Sequence, residues 1–214
     1  MIAIIDYGMG NLRSVEKALE ALGAPAAITR DAAVVERADG VILPGVGAFG
    51  DAMRGLDLYR LTDVTRARAR EALEGGRPFL GICLGLQVLV ERGEEDPDVA
   101  GLGVLEGTCP RLRPADPALK VPHMGWNALR FQKGEGDRLW RTLPEGSYVY
   151  FVHSYAVAPD DPAVIAAQTS YGDWFCSAIA RGNLFATQFH PEKSQRVGLR
   201  ILRNFAELCA APRR

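Results

Sequence analysis

Four short apolar runs, separated by segments of helical pattern, occupy residues 2–82 and constrain the fold more than any other feature. They are "IAIID" (2–6), "AAIT" (26–29), "GVILP" (40–44) and "PFLGI" (78–82). Their apolar character is nearly continuous, so strands built from them must be buried on both faces. Between them lie a helical pattern around Leu12–Leu22, stopped by Gly23, and a longer one from Arg60 to Leu73. Strands buried on both faces and alternating with helices form a parallel sheet covered on either side.

The second half changes character. "GLGVLEG" (101–107), "WNALRF" (126–131), "YVYFVHSYAV" (148–157), "AVIAAQTS" (163–170), "FCSAIARG" (175–182) and "LFATQFH" (184–190) read as strands separated by turn residues. Cys109–Pro122 holds four prolines and reads as irregular. A final helix starts at Ser194, its expected N-cap, and carries Val197, Ile201, Leu202, Phe205 and Leu208 on one face. With no repeat and no linker-like tract, the expectation is one α/β domain over 1–214: a central, mostly parallel sheet flanked by helices, with added antiparallel strands.

Totals exclude several classes of function. A net charge of −1 points to neither nucleic acid nor an anionic membrane as a partner. No apolar run has the length of a membrane span, and the early Asp6 argues against a signal peptide. The four cysteines form no CxxC pair, as expected of reduced thiols in a cytoplasmic protein. No pair of histidines has metal-ligand spacing, and no cofactor motif is present, "GMG" at 8–10 being too little for a phosphate loop.

One cysteine stands where chemistry is done. In "GRPFLGICLGLQVLVERGEE" (76–95), Cys83 ends an apolar strand and begins a helical pattern expected to run from Leu84 to about Arg92. Gly81 and Gly85 flank it two residues to either side, making a G-x-C-x-G nucleophile elbow. The helix N-terminus would favour the thiolate, and the Leu84 N–H would face a developing oxyanion. His190, in "ATQFHPEKSQ", follows a strand and has Glu192 two positions on, so Cys83, His190 and Glu192 fit nucleophile, base and orienting carboxylate. His123, in the "VPHMGWN" loop, and His153, ending "YVYFVH", compete for the base role.

"PFLGICLGLQVLVE" and "QFHPEKS" together resemble the class I (triad) glutamine amidotransferases. "DYGMGNL" (6–12), "LPGVGAFG" (43–50), "VPHMGWN" (121–127), "YFVHSY" (150–155) and "TQFHPEKSQ" (187–195) are similar to the subgroup serving histidine biosynthesis. The motifs span nearly the whole chain in the family's order.

The resemblance implies hydrolysis of L-glutamine to glutamate and ammonia through a γ-glutamyl thioester on Cys83. It implies delivery of the ammonia to a (β/α)8-barrel cyclase in a heterodimer, with no cofactor on this chain. It also implies that "PGVG" (44–47) is an oxyanion strand, with the N–H of Val46 or Gly47 joining Leu84 and the glycines permitting the peptide to reorient. Gln87, Glu95, Ser154 and Tyr155 match positions that contact glutamine, Glu95 with its register open because Glu94 is adjacent. Asn11, Trp126, Tyr150 and Lys193 match the partner face, although Trp126 and Tyr150 fit core positions as well. Other amidotransferase pathways, a non-catalytic binding homologue and a cysteine peptidase are the competing readings.

Overall fold

In the computed structural model, which describes residues 1–211, the four apolar runs are parallel strands: β1 (Ile2–Ile5), β2 (Ala26–Thr29), β3 (Gly40–Gly45) and β4 (Phe79–Cys83). The end of the expected domain, 212–214, lies outside the described residues. Helices α1 (Leu12–Ala21), α2 (Ala32–Arg37), α3 (Phe49–Leu58) and α4 (Thr62–Leu73) connect the strands. Helix α1 buries Val15, Ala18 and Leu19 and ends before Gly23, whose φ of +70° suits a helix stop. Asp31 caps α2 by accepting from the Ala33 N–H at 2.8 Å. Helices α2 and α3 were not marked by the apolar spacing: α2 has a single buried residue, Val35.

After a one-turn helix, α5 (Leu84–Gln87), come β5 (Arg92–Gly93), β6 (Gly107–Cys109), β7 (His123–Ala128) and β8 (Arg130–Phe131). Then follow α6 (Asp137–Trp140), β9 (Tyr148–His153), β10 (Ala158–Pro159), β11 (Ile165–Tyr171), β12 (Asp173–Arg181), β13 (Leu184–Thr187) and α7 (Gln195–Ala210). The main sheet has the order β2-β1-β3-β4-β13-β12-β11-β8, parallel as far as β13 and antiparallel beyond it. Successive residues of β1 enter opposite cores. Ala3 and Ile5 join the cluster holding Leu56, Ala69 and Ala72, while Ile2 and Ile4 join the one holding Leu19, Ile201 and Phe205. Burial on both faces is the physical reason for the continuous apolar runs of β1, β3 and β4, whereas β2, at the sheet edge, is only partly buried.

Several expected boundaries are corrected. The helix after Cys83 stops at Gln87 rather than Arg92, because the Val88, Leu89 and Val90 carbonyls accept from the 102–105 backbone instead of continuing the helix. That same crossing leaves "GLGVLEG" without strand structure until Gly107. "WNALRF" is two strands in different sheets: β7 pairs with β9 and β8 with β11, while Leu129 between them bonds to Gly146 and Ser147. His123 therefore lies on a strand, not in a loop. Strand β9 ends at His153, and the last strand of the main sheet ends at Thr187, short of His190. Ser194 precedes α7 without capping it, because its hydroxyl is committed elsewhere.

Candidate active site

The site is built at the carboxyl ends of β3, β4 and β13, where open α/β sheets place their ligands. Cys83, the last residue of β4, has φ +55° and ψ −106°, a conformation a non-glycine residue holds only when its surroundings impose it. The surroundings do so through close backbone approach. A Cβ on Gly85 would lie 1.8 Å from the Leu43 carbonyl oxygen, and one on Gly81 would lie 2.6 Å from that of Gly85. The G-x-C-x-G frame thus lets α5 leave β4 directly over β3. With α5 only one turn long, the expected dipole contribution to the thiolate shrinks to local N–H groups at the turn, the Leu84 N–H among them.

His190 reaches the site from the chain after β13. Its N–H donates to the Tyr150 carbonyl at 3.0 Å, so β9 sets its position. The Ser194 hydroxyl closes this clamp, donating to the His190 carbonyl at 2.7 Å and accepting from the Tyr150 N–H at 2.9 Å. His190 Nδ1 lies 2.8 Å from Glu192 Oε1, with both side chains buried. A carboxylate accepts, so Nδ1 carries a proton and Nε2 is the nitrogen left for Cys83; among the described residues Nε2 has no hydrogen-bond partner. Burial alone would lower the His190 pKa, but Cys83 and Glu192 outweigh it and raise the group to about 9.

A cavity of about 400 Å³ opens over these residues, large enough for an amino acid. Cys83, Leu84, His190, Val46 and Gly47 line it, together with Gln87, Glu95, Ser154, Tyr155 and Lys193. Glu95 accepts from the Phe49 N–H at 2.8 Å, whereas Glu94 bonds the Arg111 N–H and the Arg113 guanidinium. Of the two adjacent carboxylates, only Glu95 faces the cavity. Gln87 donates to the Tyr155 carbonyl at 3.0 Å.

Asn11, Trp126 and Tyr150 do not line it. Asn11 precedes α1 and accepts from the Ser14 hydroxyl. Trp126 and Tyr150 are paired across β7 and β9, with ring centroids 6.0 Å apart. On β9, Val149, Phe151 and His153 point inward, so Tyr150 faces outward and is not a core residue. Trp126 is 46% exposed beside exposed Met124 and Tyr148, which removes the core reading for it too.

His153 lines the cavity, but neither it nor His123 takes the base position. Their rings bond to each other at 3.0 Å inside an aromatic cluster with Phe151 and Phe175. Two residues escaped the sequence reading. Gln188 donates to Cys83 Sγ at 3.6 Å, a contact legible only from the parallel register that pairs Thr187 with Ile82. Tyr7 is buried with its hydroxyl beside Gly45, the residue paired with Cys83; burial, with Cys83 second, pushes that hydroxyl above the usual tyrosine range.

Comparison with known proteins gives a consistent result. The family model described as glutamine amidotransferase class-I matches residues 3–208. The imidazole glycerol phosphate synthase subunit HisH of Moorella thermoacetica is 54% identical over 207 residues, covering 97% of this chain and 94% of that protein. The subunit of the same name from Aquifex aeolicus is 51% identical, covering 94% of each. A crystal structure of a glutamine amidotransferase superposes with a TM-score of 0.73 at 23% identity, covering 99% of this chain and 100% of that one. The glutaminase domain of Trypanosoma brucei CTPS with bound acivicin reaches 0.66 at 17% identity, covering 98% and 93%.

Proposed function

The chain belongs to the class-I glutamine amidotransferases, and we propose that it is the glutaminase subunit of an imidazole glycerol phosphate synthase, acting in histidine biosynthesis. The observation that carries the chemistry is the strained Cys83 sharing one cavity with His190, whose Nδ1 is bonded to buried Glu192. Full-length similarity to HisH subunits supports the pathway.

In this reading the Cys83 thiolate attacks the side-chain amide carbon of L-glutamine. The tetrahedral oxyanion is held by the Leu84 N–H and by Val46 or Gly47. His190 gives its Nε2 proton to the leaving ammonia, and a γ-glutamyl thioester remains on Cys83. Water then attacks the thioester as His190 Nε2 takes its proton, releasing glutamate and the thiolate. Glu192 keeps Nδ1 protonated throughout, so that Nε2 is the nitrogen in play. Glu95 receives the substrate ammonium, while Gln87 and the backbone at Ser154 and Tyr155 receive the rest of the amino-acid head group. A zwitterion needs both kinds of partner.

The ammonia passes to a (β/α)8-barrel cyclase subunit, HisF-like, in a heterodimer that forms imidazole glycerol phosphate and aminoimidazole carboxamide ribotide. Trp126, Tyr150, Lys193 and Asn11 form the partner face. The chain works as one domain in the cytoplasm, where its free cysteines stay reduced. No step requires a cofactor.

The test is glutamate release from glutamine by the chain alone and with a cyclase barrel plus its nucleotide ligand, with Cys83→Ala beside both. Low release alone, strong stimulation in the mixture and none from Cys83→Ala are expected. Equal release with and without the barrel would remove the partner-dependent oxyanion strand. No release under any condition would favour the binding-homologue reading.

A further inference from the structure

Two buried histidines are left without a role in this chemistry. His123 and His153 are 3% and 5% exposed and sit on facing strands, paired in register across β7 and β9. His123 is held between Phe151 and Tyr171, with ring centroids at 4.8 and 4.0 Å, so its ring plane is set by stacking.

The protons on these rings follow from what each nitrogen faces. His153 Nδ1 lies 2.8 Å from the Tyr155 carbonyl oxygen, which only accepts, so Nδ1 carries the proton and donates. If the ring is neutral, its Nε2 is an acceptor, and the nitrogen facing it is His123 Nδ1 at 3.0 Å. His123 Nδ1 must then donate, leaving His123 Nε2 to accept from the Asn127 amide at 3.4 Å. An independent constraint at the far end agrees. Asn127 Nδ2 also donates to the Ser170 carbonyl at 2.9 Å, and its Oδ1 accepts from the Ala128 N–H at 2.8 Å. The nitrogen of that amide therefore faces His123. Two backbone constraints, one at each end, impose the same direction on every bond between them. Burial supports the neutral form, pushing His123 down to about 4 and His153 to about 3.

We infer that His123 and His153 are positioning residues: a one-directional hydrogen-bonded tether, running Asn127 to His123 to His153, that holds the Tyr155 carbonyl and thereby the Ser154–Tyr155 wall of the glutamine cavity. The Tyr155 carbonyl is the point where the tether meets the site. It also accepts from Gln87, whose amide reaches Gln188 at 3.2 Å, and Gln188 in turn donates to Cys83 Sγ. The outer end, Asn127, adjoins Trp126 on β7. Both rings must be Nδ1–H tautomers, and replacing His123 or His153 should weaken glutamine binding more than it slows the chemistry. This deepening rests on the reading of the cavity as a glutamine site.

Two measurements test it. Long-range 1H–15N spectra of the full chain at pH 7 should show both rings neutral and protonated on Nδ1. An Nε2–H or doubly protonated ring at either position would overturn the tether whatever the cavity binds. The second is glutamine kinetics of the chain with its cyclase partner and nucleotide ligand. His153→Phe keeps the ring packing and removes the donor; KM should rise about 10-fold, the worth of one hydrogen bond of about 1.4 kcal/mol, with kcat changed by less than about 3-fold. His153→Asn, whose amide can donate from near the Nδ1 position, should restore most of the KM. Equal KM in the two variants, raised or unchanged, would overturn the inference. If His153→Phe does not fold, His123→Phe leaves His153 in place and protonated on Nδ1 by the Tyr155 carbonyl but removes the donor to its Nε2: a shifted His153 Nε2 resonance and a smaller rise in KM are expected, and an unchanged His153 spectrum would count against the tether. Absence of glutamate release by the wild-type complex would remove the glutamine reading and leave the spectra to decide the tether.

Discussion

At His190 two opposing electrostatic effects meet. Burial favours the neutral ring, while Cys83 and the Glu192 carboxylate favour the cation and prevail, raising the pKa to about 9. A ring poised above neutral pH holds a proton ready for the leaving ammonia of the proposed reaction. Removing either partner leaves the burial in place with one supporting group fewer, so in Glu192→Gln and in Cys83→Ser the His190 titration should move down from about 9. Histidine 15N shifts followed against pH would measure it. The same Glu192→Gln variant should release glutamate about 100-fold more slowly or worse, because an amide can present its NH2 to Nδ1 and permit the wrong tautomer. An unmoved titration would show that Glu192 does not hold the imidazole. The identities of Cys83, His190 and Glu192 were legible in the sequence because spacing and flanking residues carry them. Gln188 was not, because its contact with Cys83 spans residues far apart in the chain.

Among elements, the junction of β4 with α5 sets the proposed nucleophile, Cys83, and it depends on glycine for space as much as for conformation. A methyl group at Gly85 would meet the Leu43 carbonyl oxygen at 1.8 Å, a backbone atom fixed within the parallel ladder. Gly103 is the contrast: its φ is +58°, but among the described residues nothing lies within 4 Å of an added Cβ. Gly85→Ala should therefore cost at least about 2–3 kcal/mol through displacement of β3 or α5. Gly103→Ala should cost about 1 kcal/mol from the backbone conformation alone. Urea unfolding of the two variants beside wild type measures the difference, and equal losses would refute the packing argument. The glycine frame itself was visible as a pattern. The shortness of α5 was not, since the apolar run through Val90 fits a helix until the 102–105 segment takes its carbonyls. Ser194 shows the same limit: its type and place suit a cap, yet its hydroxyl serves His190 and Tyr150.

Across the whole molecule, the proposed chemistry and the proposed partner contact adjoin on one strand pair. Inward His153 and outward Val152 of β9 line the cavity, while Met124, paired with Val152, stands exposed with Trp126 and Tyr148 on the outer face. Large apolar side chains grouped on an exposed face mark an interaction surface, and aromatic residues dominate binding energy at such surfaces. Trp126→Ala should weaken association with a cyclase barrel by about 2 kcal/mol, roughly 30-fold in Kd, without lowering the melting temperature appreciably. Calorimetric titration alongside thermal unfolding checks both. Undiminished affinity would place the partner elsewhere.

The sequence by itself determined the parallel half of the sheet, the elbow at Cys83 and the pairing of His190 with Glu192. Each of these is local: continuous apolar runs demand burial on both faces, and a nucleophile turn needs small residues at fixed offsets. Tertiary structure decided what depends on contacts between distant segments. It split "WNALRF" between two sheets, turned Glu95 rather than Glu94 toward the cavity and pointed Tyr150 outward. It also brought Gln188 to Cys83 and joined His123 to His153. In these cases residue type and local pattern allow both outcomes, and only the side on which a neighbouring strand or carbonyl lies selects between them.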